Sequence, residues 1–251
     1  SPGLDYKFEN NNEDFNILVT KAKDLKNNGA NKIVLMFDDI PEYFVPDQTK
    51  SKPEGLLHAE LANRLFKELE EIIYVVPRVY SDELINENYT YLSDFNKVIN
   101  SSISIFYCGK KIVSDTNQQF ELETIKKTTL NKIIFWDNLF ANDYCPKKIF
   151  LGPWLGRNNL DNIMFNLTGM IETDLFLLEL ISLTTSCNNH IINWENILIK
   201  YKIPKQFLLI SEYFFPINYN IKKFNKDRSY TQEIDALDFL LWKWKTPLSR
   251  E

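Results

Sequence analysis

Short apolar runs return along this chain at intervals of roughly 30 to 40 residues, the length of one strand–helix unit, and that spacing narrows the folds open to it. The runs are Ile33 to Phe37, Ile72 to Val76, Ile103 to Tyr107, Ile133 to Trp136, and a weaker one at Ile163 to Thr168. Runs of strand length with little polar alternation suit strands covered on both faces, as in a parallel sheet. Helical patterns lie between them. Phe15, Leu18, Val19, Ala22 and Leu25 share one helix face, with Asn12 as a candidate cap and Gly29 at the far end. Leu57, Leu61, Leu65 and Leu69 repeat every four residues, and Phe120 to Lys127 reads as a further helix.

Polar residues with catalytic chemistry cluster just after the strands, where a (β/α)8 barrel carries its active site. The predicted fold class is therefore α/β, a (β/α)8 TIM barrel. Five strands are visible against the eight such a barrel needs, so residues 1–190 read as about its last five strands, with the others expected before Ser1. Residues 191–251 change character and read as a separate helical region. Its predicted helices are Trp194 to Tyr201, Phe207 to Phe215, and Gln232 to Lys245, with a Lys/Asn-rich loop at 217–229. The last carries Ile234, Leu237, Leu241 and Trp244 on one face.

Composition excludes several classes. A net charge of −5 argues against nucleic acid as a partner. No apolar run approaches the roughly 20 residues needed to span a bilayer, so no membrane partner is expected. Cys108, Cys145 and Cys187 are odd in number and lack metal-ligand spacing. Neither a disulfide framework nor a metal site is expected, and a reducing compartment fits. The sequons at Asn88, Asn100 and Asn166 would stay unmodified there. The seven glycines are scattered, with no phosphate-cradling loop, and no cofactor is expected. Aromatic residues at 14% are compatible with a cleft lined by rings.

Asp38 and Asp39 follow Phe37 at the end of the most apolar run. Two adjacent carboxylates in a dry cleft cannot both ionise cheaply, so their pKa values should part, one charged and one holding a proton. Glycoside cleavage asks for such a pair; an exposed loop or a helix cap is the plainer reading. Trp136-Asp137-Asn138 ends the fourth run, with Asp143-Tyr144 soon after. An aromatic face with Asn and Asp suits a sugar, although Asp and Asn also form turns readily. Tyr80, past Pro77, is a pocket hydroxyl or a loop aromatic. His58 and His190 read as helix-surface residues, and Trp242 and Trp244 as packing residues.

In this order, five segments resemble one family: Ser1-Pro2-Gly3-Leu4-Asp5; Phe37-Asp38-Asp39-Ile40; Trp136-Asp137-Asn138 with Ala141-Asn142-Asp143-Tyr144; Phe150-Leu151-Gly152-Pro153; and Gly156-Arg157. The resemblance is to the catalytic domain of the eukaryotic protein O-GlcNAcases, glycoside hydrolase family 84. It is good over residues 1–190, with a looser similarity to the family's helical stalk beyond. It implies a hydrolase that removes O-linked N-acetylglucosamine from Ser/Thr of proteins in the cytoplasm and nucleus. The implied mechanism is substrate-assisted and retaining, through an oxazoline, so the carboxylate-separation rule for ordinary glycosidases does not apply.

The same likeness implies residue roles. Asp38 would orient and polarise the acetamido N–H. Asp39 would protonate the leaving oxygen and later activate water. Tyr80 would steady the acetamido group, Trp136 would wall the pocket, Asn138 would supply an amide to the sugar, and Asp143 would grip its hydroxyls. The implied partners are O-GlcNAc-modified proteins, the missing N-terminal barrel segment, and a second copy held through the helical region. Residues 1–251 alone are expected to be inactive. Three features depart from the family: the start at Ser1, Gly169 where an asparagine is usual, and Tyr107 where a tryptophan is usual. The competing expectation is a binding or scaffold protein that keeps the fold without turnover. A hyaluronidase- or chitin-related enzyme sharing the mechanism is a third.

Overall fold

The computed structural model describes residues 1–3, 6–8, 12–38, 52–71, 73–85, 90–114, 122–145, 147–155, 157, 160, 162–186, 190–215 and 229–251. Five strands alternate with helices: α1 (Asn12–Asn27), β1 (Val34–Met36), α2 (Glu54–Leu69), β2 (Tyr74–Val76), α3 (Tyr91–Val98), β3 (Ser104–Tyr107), α4 (Glu123–Thr128), β4 (Ile133–Asp137) and β5 (Ile163–Phe165). Then follow α5 (Ile171–Ser186), α6 (His190–Lys200), 3₁₀ turns at Lys205–Leu209 and Ser211–Phe214, and α7 (Tyr230–Trp242). The strands form one sheet in the order β1-β2-β3-β4-β5. Its pairs are parallel, with Val34 opposite Tyr74, Val75 opposite Ile105, and Phe106 opposite Ile134. The Phe135 amide donates to the Asn162 carbonyl at 2.9 Å and joins β4 to the segment entering β5. Each apolar run predicted as a strand is one.

The chain divides into two compact units. The first comprises Ser1–Ile112, Gln119–Trp136 and Asn162–Met164; the second comprises Val113–Gln118, Asp137–Asp161 and Phe165–Glu251. In the first unit, side chains alternate across the sheet. Val76, Phe106, Cys108, Ile134 and Trp136 form one apolar cluster, joined by Met36, Tyr74, Tyr80 and Met164. Leu35, Val75, Ile105 and Phe135 are the intervening residues and are also buried. Burial of both sets is why the runs carry no polar alternation. α1 buries Phe15, Leu18, Val19 and Ala22 as its spacing predicts, but Leu25 is half exposed and Asn12 is the first helical residue.

Gly55 explains how closely α2 and α3 approach. A Cβ there would lie 2.2 Å from the Tyr91 carbonyl oxygen and 2.9 Å from the Phe95 nitrogen. Only glycine lets these backbones meet, and that contact brings Tyr91 over α2. His58, read from sequence as a helix-surface residue, is instead buried at 2% exposure. Its ring lies flat on Phe37, with centroids 4.1 Å apart, and its Nδ1 is 2.9 Å from the Tyr91 hydroxyl. Burial, aided by the charge of Arg78, pulls the His58 pKa from 6.5 down to about 3.

The sign of the resulting pH dependence follows. Between about pH 6.5 and about 3, the unfolded chain binds a proton at His58 that the folded chain excludes. The stability of neutral His58 is present in full above that window and is lost as pH falls through it, at about 1.4 kcal/mol per pH unit. Denaturant unfolding of wild type and His58→Phe between pH 7 and 5 is expected to show this slope in wild type and its loss in the variant. Equal slopes would refute it.

In the second unit, α5 lacks a sequence signal because its apolar residues surround it. Phe176, Leu177, Leu180 and Ile181 are buried while Leu175, Leu178 and Leu183 are exposed. The helix predicted at Phe207 to Phe215 is a pair of 3₁₀ turns with Phe207 and Phe215 buried. α7 starts two residues before its predicted first residue, at a capping box in which Ser229 and Gln232 exchange side-chain and backbone hydrogen bonds. Its apolar face, including Leu241, is largely uncovered. Trp242 is 69% exposed and so does not pack as predicted. The loop at 217–228, Cys187, Asn88 and Phe120 lie outside the described residues.

Candidate functional site at the strand ends

In a parallel sheet all strands finish at one edge, and the candidate residues sit there by chain position. Asp38 is two residues beyond β1 and half-buried. The strand end before it is held by the Phe37 amide, which donates to the Val76 carbonyl at 2.9 Å. Asp38 also lies near the Ser1 amino group. Burial and Lys21 lower that amine's proton affinity, and the Asp38 carboxylate opposes them. Asp39, its predicted partner, lies outside the described residues.

Tyr80 follows β2 by four residues, and its segment is laced to the end of β3. The Tyr80 carbonyl accepts the Cys108 amide at 2.7 Å. The Gly109 carbonyl accepts the Ser81 hydroxyl at 3.1 Å and the Asp82 amide at 2.8 Å. The Asp82 carboxylate in turn accepts the Tyr107 hydroxyl at 2.6 Å and the Thr124 hydroxyl at 2.9 Å. Burial and the Asp82 charge push the Tyr107 pKa well up, so this hydroxyl is a fixed donor. Tyr107, the departure from the family's tryptophan, thus holds the Tyr80 segment in place. The rings of Tyr80 and Trp136 meet at 5.6 Å, tilted by 44°. Trp136 is buried, and its Nε1–H has no acceptor among the described residues.

The second unit carries Asn138 and Asp143 on the segment after β4. Its anchor is Asp137, which is buried. The Asp137 carboxylate accepts the Leu139 amide at 3.0 Å, the Trp154 indole N–H at 3.0 Å and Arg157 Nε at 3.1 Å. The Arg157 side chain is 1% exposed; it also donates from Nη1 to the Leu155 carbonyl at 2.8 Å and from Nη2 to the Ser114 carbonyl. This buried ion pair ties residues 137–157 into a closed loop. Asn138 is buried, and its Oδ1 accepts from Asn166 Nδ2 at 3.2 Å. The Asn166 amide donates to the Asp137 carbonyl at 3.0 Å, so the start of this loop is held by the end of β5.

Asp143 is exposed, and its carboxylate accepts the Tyr144 amide at 2.9 Å. The Tyr144 hydroxyl closes that turn on the Leu139 carbonyl at 2.9 Å. Gly169 has φ +78, and open space surrounds the Cβ it lacks. Its amide donates to Asp174 Oδ2 at 2.9 Å, while the Thr168 amide and hydroxyl donate to Asp174 Oδ1 at 2.9 and 2.6 Å. An acidic residue in the first turn of α5 therefore fixes this loop, in keeping with the positive end of a helix. Asp137 and Arg157 stand within the sequence motifs, and their pairing emerges only in the folded chain.

The structure thus brings Tyr80 to Trp136 and, separately, Asn138 to Asn166. Among the described residues, no cluster of three or more His, Cys, Asp or Glu side chains could hold a metal ion. No helix among them is long and apolar enough to cross a membrane.

Comparison with known proteins adds an independent result. A family model described as beta-N-acetylglucosaminidase matches residues 1–173. Protein O-GlcNAcase of Mus musculus is 29% identical over 165 residues, which is 63% of this chain and 18% of the relative. Protein O-GlcNAcase of Rattus norvegicus is 28% identical over the same length, with the same coverage. The chain therefore matches less than a fifth of the length of these curated relatives. Among solved structures, that of CpGH84B superposes with a TM-score of 0.68 at 22% identity, covering 84% of this chain and 39% of that one. At this identity the likeness shows the fold alone.

Proposed function

The chain belongs to the beta-N-acetylglucosaminidase family, and from that premise we propose that it removes O-linked N-acetylglucosamine from Ser/Thr of proteins. The observation that carries the reading is the placement of Asp38, Tyr80 and Trp136 just past, or at, the ends of three strands of one parallel sheet. In the proposed reaction the sugar's acetamido oxygen attacks C1 while Asp38 polarises the acetamido N–H. Asp39 gives its proton to the leaving Ser/Thr oxygen as the C1–O bond breaks and Asp38 draws off the N–H proton, leaving an oxazoline; Asp38 returns that proton when the ring opens. Water then adds to C1, Asp39 takes its proton, and the acetamido group is restored. By family likeness, Tyr80 steadies the acetamido group, Trp136 is a pocket wall, Asn138 supplies an amide to the sugar and Asp143 grips its hydroxyls. Residues 1–190 serve as the barrel portion. Residues 191–251 form a stalk-like region whose uncovered α7 face suits a second copy. Work on nuclear and cytoplasmic glycoproteins fits the odd number of cysteines.

Turnover of a chromogenic N-acetylglucosaminide by the complete protein, lost in Asp38→Asn and in Asp39→Asn, tests this reading. Unchanged rates in both variants overturn it. A thiazoline that copies the cyclised intermediate is expected to bind at least about a hundredfold more tightly than N-acetylglucosamine, since a transition-state-like shape is what the site favours. Calorimetric titration of both measures it, and equal affinities contradict substrate assistance. The departure at Gly169 favours a second reading, a carbohydrate-binding protein without turnover. That protein would bind the thiazoline and leave the chromogenic substrate intact.

A further inference from the structure

On the proposed hydrolytic reading, we propose that His58 is a positioning residue for Asp38, locked by Tyr91 and acting through Phe37. Phe37 directly precedes Asp38. Its backbone is held by the Val76 carbonyl at 2.9 Å, and its ring is held by His58, 4.1 Å away and within 4° of parallel. The direction in which the chain leaves β1 at Asp38 is therefore set on the strand side by β2 and on the helix side by His58.

His58 is itself fixed. The Arg78 amide donates to the Tyr91 hydroxyl oxygen at 3.0 Å, and that hydroxyl shares a hydrogen bond with His58 Nδ1, 2.9 Å away, whose direction follows the imidazole tautomer. Phe8 closes the other side, 5.0 Å from the imidazole. A neutral ring suits this site, since burial holds His58 uncharged. Glu54, one turn before His58 on α2, takes Arg78 in a two-point ion pair at 2.5 and 2.8 Å. Arg78 lies two residues before Tyr80. One face of α2 thus sets the exit of β1 through His58 and the exit of β2 through Glu54, and keeps Asp38 and Tyr80 in a common frame. Catalytic groups tolerate little displacement: a shift of about 1 Å costs about a hundredfold in rate.

The test uses the complete protein with His58→Leu, His58→Phe and Tyr91→Phe, comparing kcat and KM on two N-acetylglucosaminides, one whose leaving group needs a proton and one whose does not. For the demanding substrate, kcat is expected to fall about a hundredfold in His58→Leu and about tenfold in Tyr91→Phe, with KM within about threefold of wild type. His58→Phe keeps a flat ring on Phe37 and is expected to recover much of the rate. The losses should be alike on the two leaving groups, because Asp38 acts on the acetamido group and not on the leaving oxygen. Folding damage alone would lower the melting temperature along with the rate. Tyr91→Phe removes a single oxygen and decides the matter if His58→Leu fails to fold. If kcat stays within about twofold of wild type on both substrates, or if His58→Phe is as slow as His58→Leu, the positioning role is wrong. Asp38→Asn in the same assay separates the two claims: its loss of activity alongside normal His58 and Tyr91 variants overturns only the positioning role, whereas its full activity overturns the hydrolytic reading itself.

Discussion

Asp38→Asn is expected to lower kcat/KM for a chromogenic N-acetylglucosaminide by about a thousandfold, equivalent to about 4 kcal/mol of lost transition-state stabilisation. The acetamido N–H gains positive character as its oxygen attacks C1, and a neutral amide offers that charge far less than a carboxylate does. The strand end that delivers Asp38 is held by the Val76 carbonyl and the His58 ring. The isosteric change should therefore leave the fold intact, and an unchanged melting temperature would confirm that the loss is chemical. Asp39→Asn should differ in kind. Its loss should be large when the leaving oxygen needs a proton and small when the leaving group departs as an anion. Steady-state kinetics across leaving groups of graded pKa distinguishes the two carboxylates. Identical profiles for both variants would contradict the division of roles.

Arg157→Met is expected to destabilise the protein by about 3–5 kcal/mol, because it strands a buried carboxylate without its cation. Asp137 would keep only the Leu139 amide and the Trp154 indole as donors. The Ser114 and Leu155 carbonyls would lose their Arg157 contacts as well. Asp137→Leu alone should cost a similar amount by leaving Arg157 buried and uncompensated. The double variant Asp137→Leu/Arg157→Met should lose clearly less than the sum of the two, which is the signature of a direct pair. Urea unfolding of the four proteins measures it, and additive losses would show that the pair is not coupled. Because the same loop carries Asn138 and Asp143, the single variants should also weaken sugar binding.

How much of this was legible in the sequence depended on whether the signal was local. The strands were, since burial on both faces writes itself as a continuous apolar run such as Ile33 to Phe37. Helix α1 was legible from its stripe of Phe15, Leu18, Val19 and Ala22. Helix α5 was not, because apolar side chains lie on its exposed as well as its buried side and leave no stripe. The two turns at 205–214 carry the same aromatic residues a helix would, and only their hydrogen-bond pattern separates them.

Among the proposed site residues, Asp38, Tyr80, Trp136, Asn138 and Asp143 could be named because each follows or ends an apolar run or sits in a motif. Their supports could not. Asp137 and Arg157 are 20 residues apart, and their pairing exists only once the loop is closed. His58 looks like a surface residue beside Leu57 and Leu61. It is buried because the buried arc of α2 is wider than its leucine stripe, with Gly55, Ala59 and Ala62 also covered.

The proposed site cleaves a sugar by using the sugar's own acetamido group. The most direct measurement is hydrolysis by the complete protein of a matched pair of aryl glycosides, the 2-acetamido sugar and the plain glucoside with the same leaving group. Turnover of the acetamido sugar is expected at a rate at least about a thousandfold above that of the glucoside, because without the internal nucleophile no protein group replaces it. Comparable rates on the two sugars would contradict substrate assistance, and no turnover of either would contradict the hydrolase.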